Sequence, residues 1–251
     1  MADLFGAVLP FMLLLARIGA FIAVLPLFGW RSMPARVKVG LALVITMCLA
    51  MVLPPPAAVA SGLSWLAGAL LVVQEILIGV ALGLAVNLLY RGVQQGGVLA
   101  SRQMGFADAG IIDPAFGEGS QPLALLLEMV FALYLLVNDG HHLLLLLIRR
   151  SYDVFPIGQM PDLGNLVSGV VQASSTMLLF ALQLAAPILA AFLILSVMLG
   201  ILARVLPELN ILMTAMPLRV ALGLFLASAL VPQMGVFTDQ LVQWVHRLIA
   251  V

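Results

Sequence analysis

One long apolar run, from Leu166 to Arg204, constrains the fold more than any other part of the sequence. It contains no charged residue before Arg204, and Pro187 lies near its middle. About 20 apolar residues suffice for a helix to cross a bilayer, so this run is too long for a single crossing. Backbone amides in hydrocarbon must be hydrogen-bonded within the segment, which a helix achieves. The run therefore predicts a long helix, bent at Pro187 because proline removes one hydrogen bond.

The composition extends this conclusion to the whole chain. Of its 251 residues, 64% are hydrophobic and 9% are charged, with a mean hydropathy of +1.21. This leaves too little polar surface to cover a soluble globule. The formal net charge is zero, so nothing in the charge balance indicates a nucleic-acid partner. We predict an all-α membrane protein.

The apolar runs predict about six helices arranged as hairpins. In chain order the expected segments are Leu4–Pro26, Val39–Leu53, Ser64–Tyr90, Pro122–Val137 continued by Leu143–Ile148, Leu166–Arg204, and Leu218–Leu248 interrupted at Pro232. The last two segments form a helical hairpin. Cys48 lies within an apolar run, where a lone cysteine usually behaves as a small core hydrophobe.

A long segment between the third and fourth helices, Gly92–Gln121, has a different composition. It is rich in glycine, carries four charged residues, and also contains large apolar side chains. Its hydrophobic pattern fits neither helix nor strand, so we predict a non-helical insert. Such a backbone is tolerated at membrane depth only where protein buries it or where it lines a wet cavity. We therefore expect the insert to be packed into a lumen.

Four charged residues occur in or between apolar helices: Arg17, Glu75, Glu128 and Asp139. An arginine at the centre of a membrane helix costs about 3 kcal/mol even on mild insertion scales, so Arg17 should face protein or water. Intramembrane carboxylates mark either ion pairs or proton relays. We expect these four to be buried and structurally paired, with Arg17 and Arg91 as candidate cationic partners.

Asp139, His141 and His142 also resemble a set of metal ligands. Adjacent histidines on one helix diverge by about 100°, and the sequence offers no second ligand cluster. We therefore expect a polar helix break here, with no metal and no cofactor.

With these residues in place, the chain resembles the FliR/SctT family of type III secretion export-gate subunits. Four blocks carry the match in chain order: Ala16–Gly19 with Leu25–Phe28 and Met33–Lys38; Gln74–Gly79; Gln103–Phe106 with Asp113-Pro114 and Asp139–His141; and Ala186-Pro187 with Leu199-Gly200, Ala203-Arg204, Pro207–Asn210 and Pro217. Together they cover nearly the whole chain. One departure is Glu208, where the family usually has a glutamine-like residue.

The resemblance implies a subunit that assembles with FliP and FliQ into a channel for unfolded flagellar proteins, with FlhB at its cytoplasmic side. The location implied is the bacterial inner membrane, in the flagellar basal body. Residues 1–165 would be a FliP-like helical region that includes a plug loop at 92–121, and 166–251 a FliQ-like helical hairpin. The residues expected to close the channel are Met104, Gly105, Phe106, Gly110, Asp113, Pro114 and Phe116.

Three other interpretations remain open at this stage. The chain could be the injectisome counterpart of the same family. It could be a proton-coupled small-solute transporter that titrates Glu75, Glu128 and Asp139, which would predict inverted repeats that we do not find. An enzyme is disfavoured, because the sequence has no histidine-rich metal cluster, Gly-x-Ser-x-Gly elbow or phosphate-binding glycine motif.

Overall fold

The computed structural model describes residues 2–25, 34–53, 65–104, 122–158, 163–206 and 211–250. Within these ranges all regular structure is α-helical, which confirms the all-α prediction. The helices are α1 (Ala2–Val24), α2 (Ala35–Val52), α3 (Trp65–Gln103), α4 (Pro122–Val137), α5 (Gly140–Val154), α6 (Leu163–Val205), α7 (Ile211–Leu230) and α8 (Gln233–Ala250). Counting α4 with α5 and α7 with α8 as single broken helices gives the six that were predicted.

The lengths of the helices agree with a membrane protein. By length and composition, α2, α3 and α6 could each cross a bilayer, and the two broken pairs raise the number of candidate spans to five. Pro187 lies inside α6, one continuous helix of 43 residues, which confirms the predicted long helix. The bend expected at Pro187 stays a prediction.

The ends of several helices follow from local chemistry. Proline at the first helical position lacks only an N–H that would be unpaired anyway, and α4 accordingly begins at Pro122. The break before α5 lies at Asp139, whose φ of 55° is left-handed and cannot continue a helix. Between α7 and α8 the chain bends by 49° beside Pro232, which cannot donate the hydrogen bond of a continuing helix.

The predicted start of the non-helical insert at Gly92 is wrong. Helix α3 continues to Gln103, and the Met104 N–H still donates to the Ala100 carbonyl at 3.3 Å. The glycines at 92, 96 and 97 are helical, so the insert can begin only after Met104. Residues 105–121 lie outside the described ranges.

These three glycines sit where other helices approach closely. A Cβ at Gly92 would lie 2.9 Å from the Met177 carbonyl oxygen, one at Gly96 would lie 2.8 Å from Leu184 Cβ, and one at Gly97 would lie 2.8 Å from Ala124 Cα. Small residues at this spacing let helix backbones pack together, which outweighs their poor helix propensity.

Two smaller expectations also need correction. The last predicted helix begins at Ile211 rather than Leu218, so Pro217 lies inside α7 instead of at its start. Cys48 is exposed on α2 rather than buried, because α2 buries only Ala42 and Thr46.

Contacts divide the chain into two compact units. The first comprises Met1–Leu88, Asp139–Ser174 and Val242–Val251. In it α1 packs against α2, and the fully buried side chains include Leu13, Ile18, Ile78 and Ile148. The two units are defined by spatial contacts. The predicted boundary after residue 165 is defined by likeness to FliP and FliQ, and it stays a prediction.

The second unit comprises Leu89–Asn138 and Ser175–Leu241. Its core contains two aromatic pairs. The Tyr90 and Phe131 rings lie 5.6 Å apart, and the Phe180 and Phe237 rings meet edge-on at the same separation. Such pairs contribute about 0.5–1.5 kcal/mol beyond the burial of their area.

Candidate functional site

A buried ion pair joins α1 and α3 in the first unit. Arg17 Nε donates to Glu75 Oε2 at 2.5 Å, and the two side chains are 0% and 1% exposed. Both residues were selected from the sequence because charges inside apolar helices are costly. The structure brings these two together, 58 positions apart in the chain.

The rest of the Arg17 guanidinium binds the end of α5. Nη1 donates to the Ser151 carbonyl at 3.0 Å and to Ser151 Oγ at 3.3 Å, and Nη2 donates to the Phe155 carbonyl at 2.9 Å. Phe155 is the C-cap residue of α5, and its N–H also donates to the Ser151 carbonyl at 2.9 Å. The carbonyls at a helix end carry the negative end of the helix dipole. Arg17 therefore caps α5 with a full positive charge.

Tyr152 covers the guanidinium from one side. The Arg17 Cζ atom lies 4.2 Å from the centroid of the Tyr152 ring, within the range of a cation–π contact. The Tyr152 hydroxyl in turn donates to the Leu14 carbonyl at 3.4 Å. One arginine thus holds α1, α3 and α5 together. We call Arg17, Glu75, Ser151, Tyr152 and Phe155 the arginine cluster.

Two glycines let α3 approach α1 closely enough for this contact. A Cβ at Gly79, one turn after Glu75, would overlap the Arg17 carbonyl oxygen, and one at Gly83 would lie 3.0 Å from the Phe21 carbonyl oxygen. Further along, Asn87 Nδ2 donates to the Val24 carbonyl at 2.5 Å, which satisfies the end of α1. The interface combines close backbone packing with polar contacts at both ends.

The arginine cluster is suited to holding helices rather than to moving protons. A buried ion pair is favourable only when further hydrogen bonds satisfy the remaining donors and acceptors. Here two backbone carbonyls and one hydroxyl accept hydrogen bonds from the Nη atoms of Arg17. Ser151, Tyr152 and Phe155 could not be identified from the sequence alone. Ser151 and Phe155 contribute backbone carbonyls, which every residue type has, and all three partners lie about 135 positions from Arg17.

Glu128 belongs to the second unit and is half-buried. It lies near the exposed Arg91 and interacts with its charge. The Tyr90 hydroxyl lies 3.5 Å from the Glu128 carbonyl oxygen. Arg91 was one of the two cations considered from the sequence as a partner for the buried carboxylates.

Asp139 is not buried, contrary to the prediction. Its side chain is 75% exposed, and Oδ1 lies 3.4 Å from His142 Nδ1. The cause is the left-handed turn at Asp139, which places the carboxylate at the exposed start of α5 instead of within a helix.

The expected divergence of adjacent histidines is not observed at the start of α5. The rings of His141 and His142 do not diverge; their centroids lie 4.3 Å apart. Each of Asp139, His141 and His142 offers one ligand atom, and the three atoms lie within 4.8 Å of one another. His141 also lines an apolar cavity of about 200 Å³ among residues of α1, α2 and α5.

Of the predicted channel-closing residues, only Met104 lies in the described ranges. Its side chain is 1% exposed, and a Cβ at Gly223 of α7 would overlap it, so Met104 packs directly on the backbone of α7. Gly105, Phe106, Gly110, Asp113, Pro114 and Phe116 lie outside the described residues. Gly223 had not been singled out from the sequence, because its role depends on this distant contact.

Residues 8–244 match the family described as bacterial export proteins, family 1. This range contains the arginine cluster and all eight helices at least in part.

Curated relatives agree with the family match. The chain is 35% identical to the flagellar biosynthetic protein FliR of Escherichia coli K12 over 94% of this chain and 89% of that protein. It is 31% identical to FliR of Bacillus subtilis 168, covering 88% and 84%. The chain is 27% identical to the Yop proteins translocation protein T of Yersinia pestis, over 61% of this chain and 60% of that protein. The chain therefore belongs to family 1 of the bacterial export proteins, the FliR/SctT family.

Proposed function

We propose that this chain is a subunit of the flagellar type III protein export gate. It assembles with FliP and FliQ in the bacterial inner membrane, at the flagellar basal body, into a channel for unfolded flagellar proteins. FlhB contacts the cytoplasmic side of this assembly. The family membership supports a type III export component, and the exposed surface of α6 supports assembly with other subunits.

The observation that carries the proposal is the length of apolar surface on α6. This helix has 43 residues, which corresponds to roughly 64 Å at 1.5 Å per residue. Large apolar side chains are exposed along it from Val167 to Val205. The hydrocarbon core of a bilayer is only about 30 Å thick, so lipid cannot cover the whole helix. The remainder requires apolar protein partners.

The relatives favour a flagellar over an injectisome system. The identity to flagellar proteins reaches 35% with almost full coverage, whereas the Yersinia translocation protein matches at 27% over 61% of the chain. The injectisome counterpart remains the second candidate within the same family.

A proton-coupled transporter is less well supported. Such a protein needs carboxylates that can gain and lose protons during transport. Glu75 is buried and bonded to Arg17, and Asp139 is exposed at the start of a helix. Of the three acidic residues considered, only Glu128 is left in a half-buried position.

For closure of the channel we propose the segment that follows α3, with Met104 as its anchor. Met104 packs on Gly223 of α7, so the segment starts from a fixed point. The other end is fixed by α4, which begins at Pro122. Between these ends Phe106, Ile111 and Phe116 supply apolar side chains, and glycines lower the cost of changing backbone angles.

The proposal is tested by expressing this chain with FliP and FliQ from the same genome and purifying the assembly through a tag on FliP. Native mass spectrometry should find this chain in the complex, and a strain that lacks it should secrete no flagellar subunits. A FliP–FliQ complex of normal size that excludes this chain would contradict the proposal. Solute uptake by the chain alone in vesicles would favour the transporter instead.

A further inference from the structure

The start of α5 carries three side chains of types that can bind metals, and none of them belongs to the arginine cluster. Asp139 precedes the helix, and His141 and His142 lie in its first turn. Their ligand atoms lie within 4.8 Å of one another, and all three residues belong to the first unit. Most clusters of this kind at a helix start need no ligand, so the contacts of each side chain decide the question.

Asp139 does not perform the usual task of an aspartate in its position. A side-chain oxygen at an N-cap normally accepts a hydrogen bond from an N–H of the first helical turn. Asp139 is the N-cap of α5, yet its carboxylate makes no such bond. Oδ1 is directed to His142 Nδ1 instead.

The backbone at Asp139 is also costly. It has a φ of 55°, the one positive value at a non-glycine residue in the described ranges. Such a backbone conformation persists only where the surrounding structure over-determines it.

The separation of these two ligand atoms fits zinc. Zinc binds histidine nitrogen at about 2.0–2.1 Å and carboxylate oxygen at about 2.0–2.2 Å, so two ligands of a tetrahedral site lie roughly 3.4 Å apart. His142 Nδ1 and Asp139 Oδ1 are 3.4 Å apart. An Asp–His hydrogen bond in an ordinary pair would be shorter, about 2.7–2.9 Å.

His141 offers a third ligand atom. Its ring stacks beside that of His142, with centroids 4.3 Å apart and an angle of 35° between the planes. His141 Nδ1 is buried and has no hydrogen-bond partner among the described residues. The ring is therefore not committed to another polar contact through that nitrogen.

We propose that Asp139, His141 and His142 bind one Zn²⁺ ion, with water in the fourth position in the isolated chain. Two histidines and one carboxylate are a common zinc ligand set. The exposure of Asp139 and His142 gives the ion a path from solvent. The positive end of the α5 dipole opposes the ion, which lowers its affinity only a few-fold.

The test uses the full-length chain, purified in detergent through a tag without histidines and stripped with a chelator. Equilibrium dialysis against Zn²⁺ measures the stoichiometry and affinity. Replacing Zn²⁺ with Co²⁺ reports the coordination geometry through the visible spectrum. We expect one Zn²⁺ per chain and the spectrum of four-coordinate Co²⁺.

Variants identify the ligands. Asp139→Asn, His141→Gln and His142→Gln should each weaken binding at least tenfold, while circular dichroism and size-exclusion chromatography show an intact fold. His246→Gln and Asp153→Asn are matched controls that change the other histidine and an exposed aspartate of α5, and they should bind Zn²⁺ normally.

Two results would overturn the proposal. One is the absence of stoichiometric Zn²⁺ binding by the unaltered chain, which would leave Asp139 and His142 as a simple polar pair. The other is unchanged binding in any of the three ligand variants. Because the test uses the isolated chain, its outcome does not depend on the proposed role in export.

Discussion

At the scale of single residues, Arg17 makes the most consequential contacts in the described structure. Changing Arg17 to Ala should leave Glu75 buried without a partner and remove the cap of α5. Breaking a buried ion pair from one side costs about 3–5 kcal/mol. We expect the variant to have a lower unfolding temperature in detergent and a reduced level in the membrane, as measured by thermal melting and immunoblotting.

The double variant Arg17→Met with Glu75→Met separates charge from packing. It should recover much of the lost stability, because neither charge is left unpaired. Arg36→Ala, on the exposed start of α2, is the matched control and should behave like the unaltered chain. A double variant that is less stable than either single variant would contradict this explanation of the arginine cluster.

Gly79 allows a second prediction at this scale. Its missing side chain leaves room for the Arg17 carbonyl, so Gly79→Ala should push α3 away from α1 and lengthen the bond to Glu75. Overpacking of this kind costs about 1–3 kcal/mol. Gly40→Ala provides the control, because nothing lies within 4 Å of the added Cβ, and there alanine should stabilise α2 by up to about 1 kcal/mol. Equal melting temperatures for the two variants would exclude a packing role for Gly79.

These residues also show what a sequence can reveal about a site. Arg17 and Glu75 could be found because a charge in an apolar helix is expensive wherever its partner lies. Ser151 and Phe155 could not be found, since they contribute backbone carbonyls that any residue type has. The exposure of Asp139 cannot be predicted from hydrophobic periodicity, because the left-handed turn that exposes its side chain does not change the pattern of apolar residues.

At the scale of helices, apolar periodicity predicted most elements but placed the end of α3 too early. Glycines at 92, 96 and 97 indicate a loop by composition, although each faces a neighbouring helix. Glycine has a low helix propensity, yet it is also favoured where two helices cross closely. Local sequence therefore cannot distinguish a loop from a tight helix crossing. The long run of α6 carries no such ambiguity, because in hydrocarbon only a helix satisfies the backbone hydrogen bonds of an apolar run of that length.

The length of α6 leads to a prediction about its surroundings. Spin labels placed singly at exposed positions from Val167 to Val205, in a Cys48→Ser background, should divide into two groups. Labels within one stretch of about 30 Å should collide with oxygen dissolved in lipid, and labels beyond it should not. Adding FliP and FliQ should protect the second group. Uniform lipid exposure along the whole helix, with no change on assembly, would remove the reason for expecting partners there.

At the scale of the whole molecule, the proposed plug requires a segment that is fixed at both ends and able to move between them. Met104 is buried on α7 and Pro122 begins α4, so seventeen residues, 105–121, separate two fixed points. In this proposal Met104 therefore anchors the start of the segment. Its replacement by alanine would open a cavity beside Gly223 and cost about 2–5 kcal/mol, and a leak in that variant could reflect lost packing.

Phe106 and the glycine-rich segment after it give the cleaner test of closure. In an assembled complex with FliP and FliQ, Phe106→Ala or removal of Gly110–Phe116 should raise ion permeability several-fold, because less apolar surface then excludes water from the passage. Conductance of the complex in proteoliposomes measures this, with native mass spectrometry to verify assembly. Phe225→Ala, which removes an exposed aromatic ring from α7, is the control and should remain tight. If both Phe106→Ala and the shortened segment remain as tight as this control in an intact complex, the channel is closed by something other than the segment after α3.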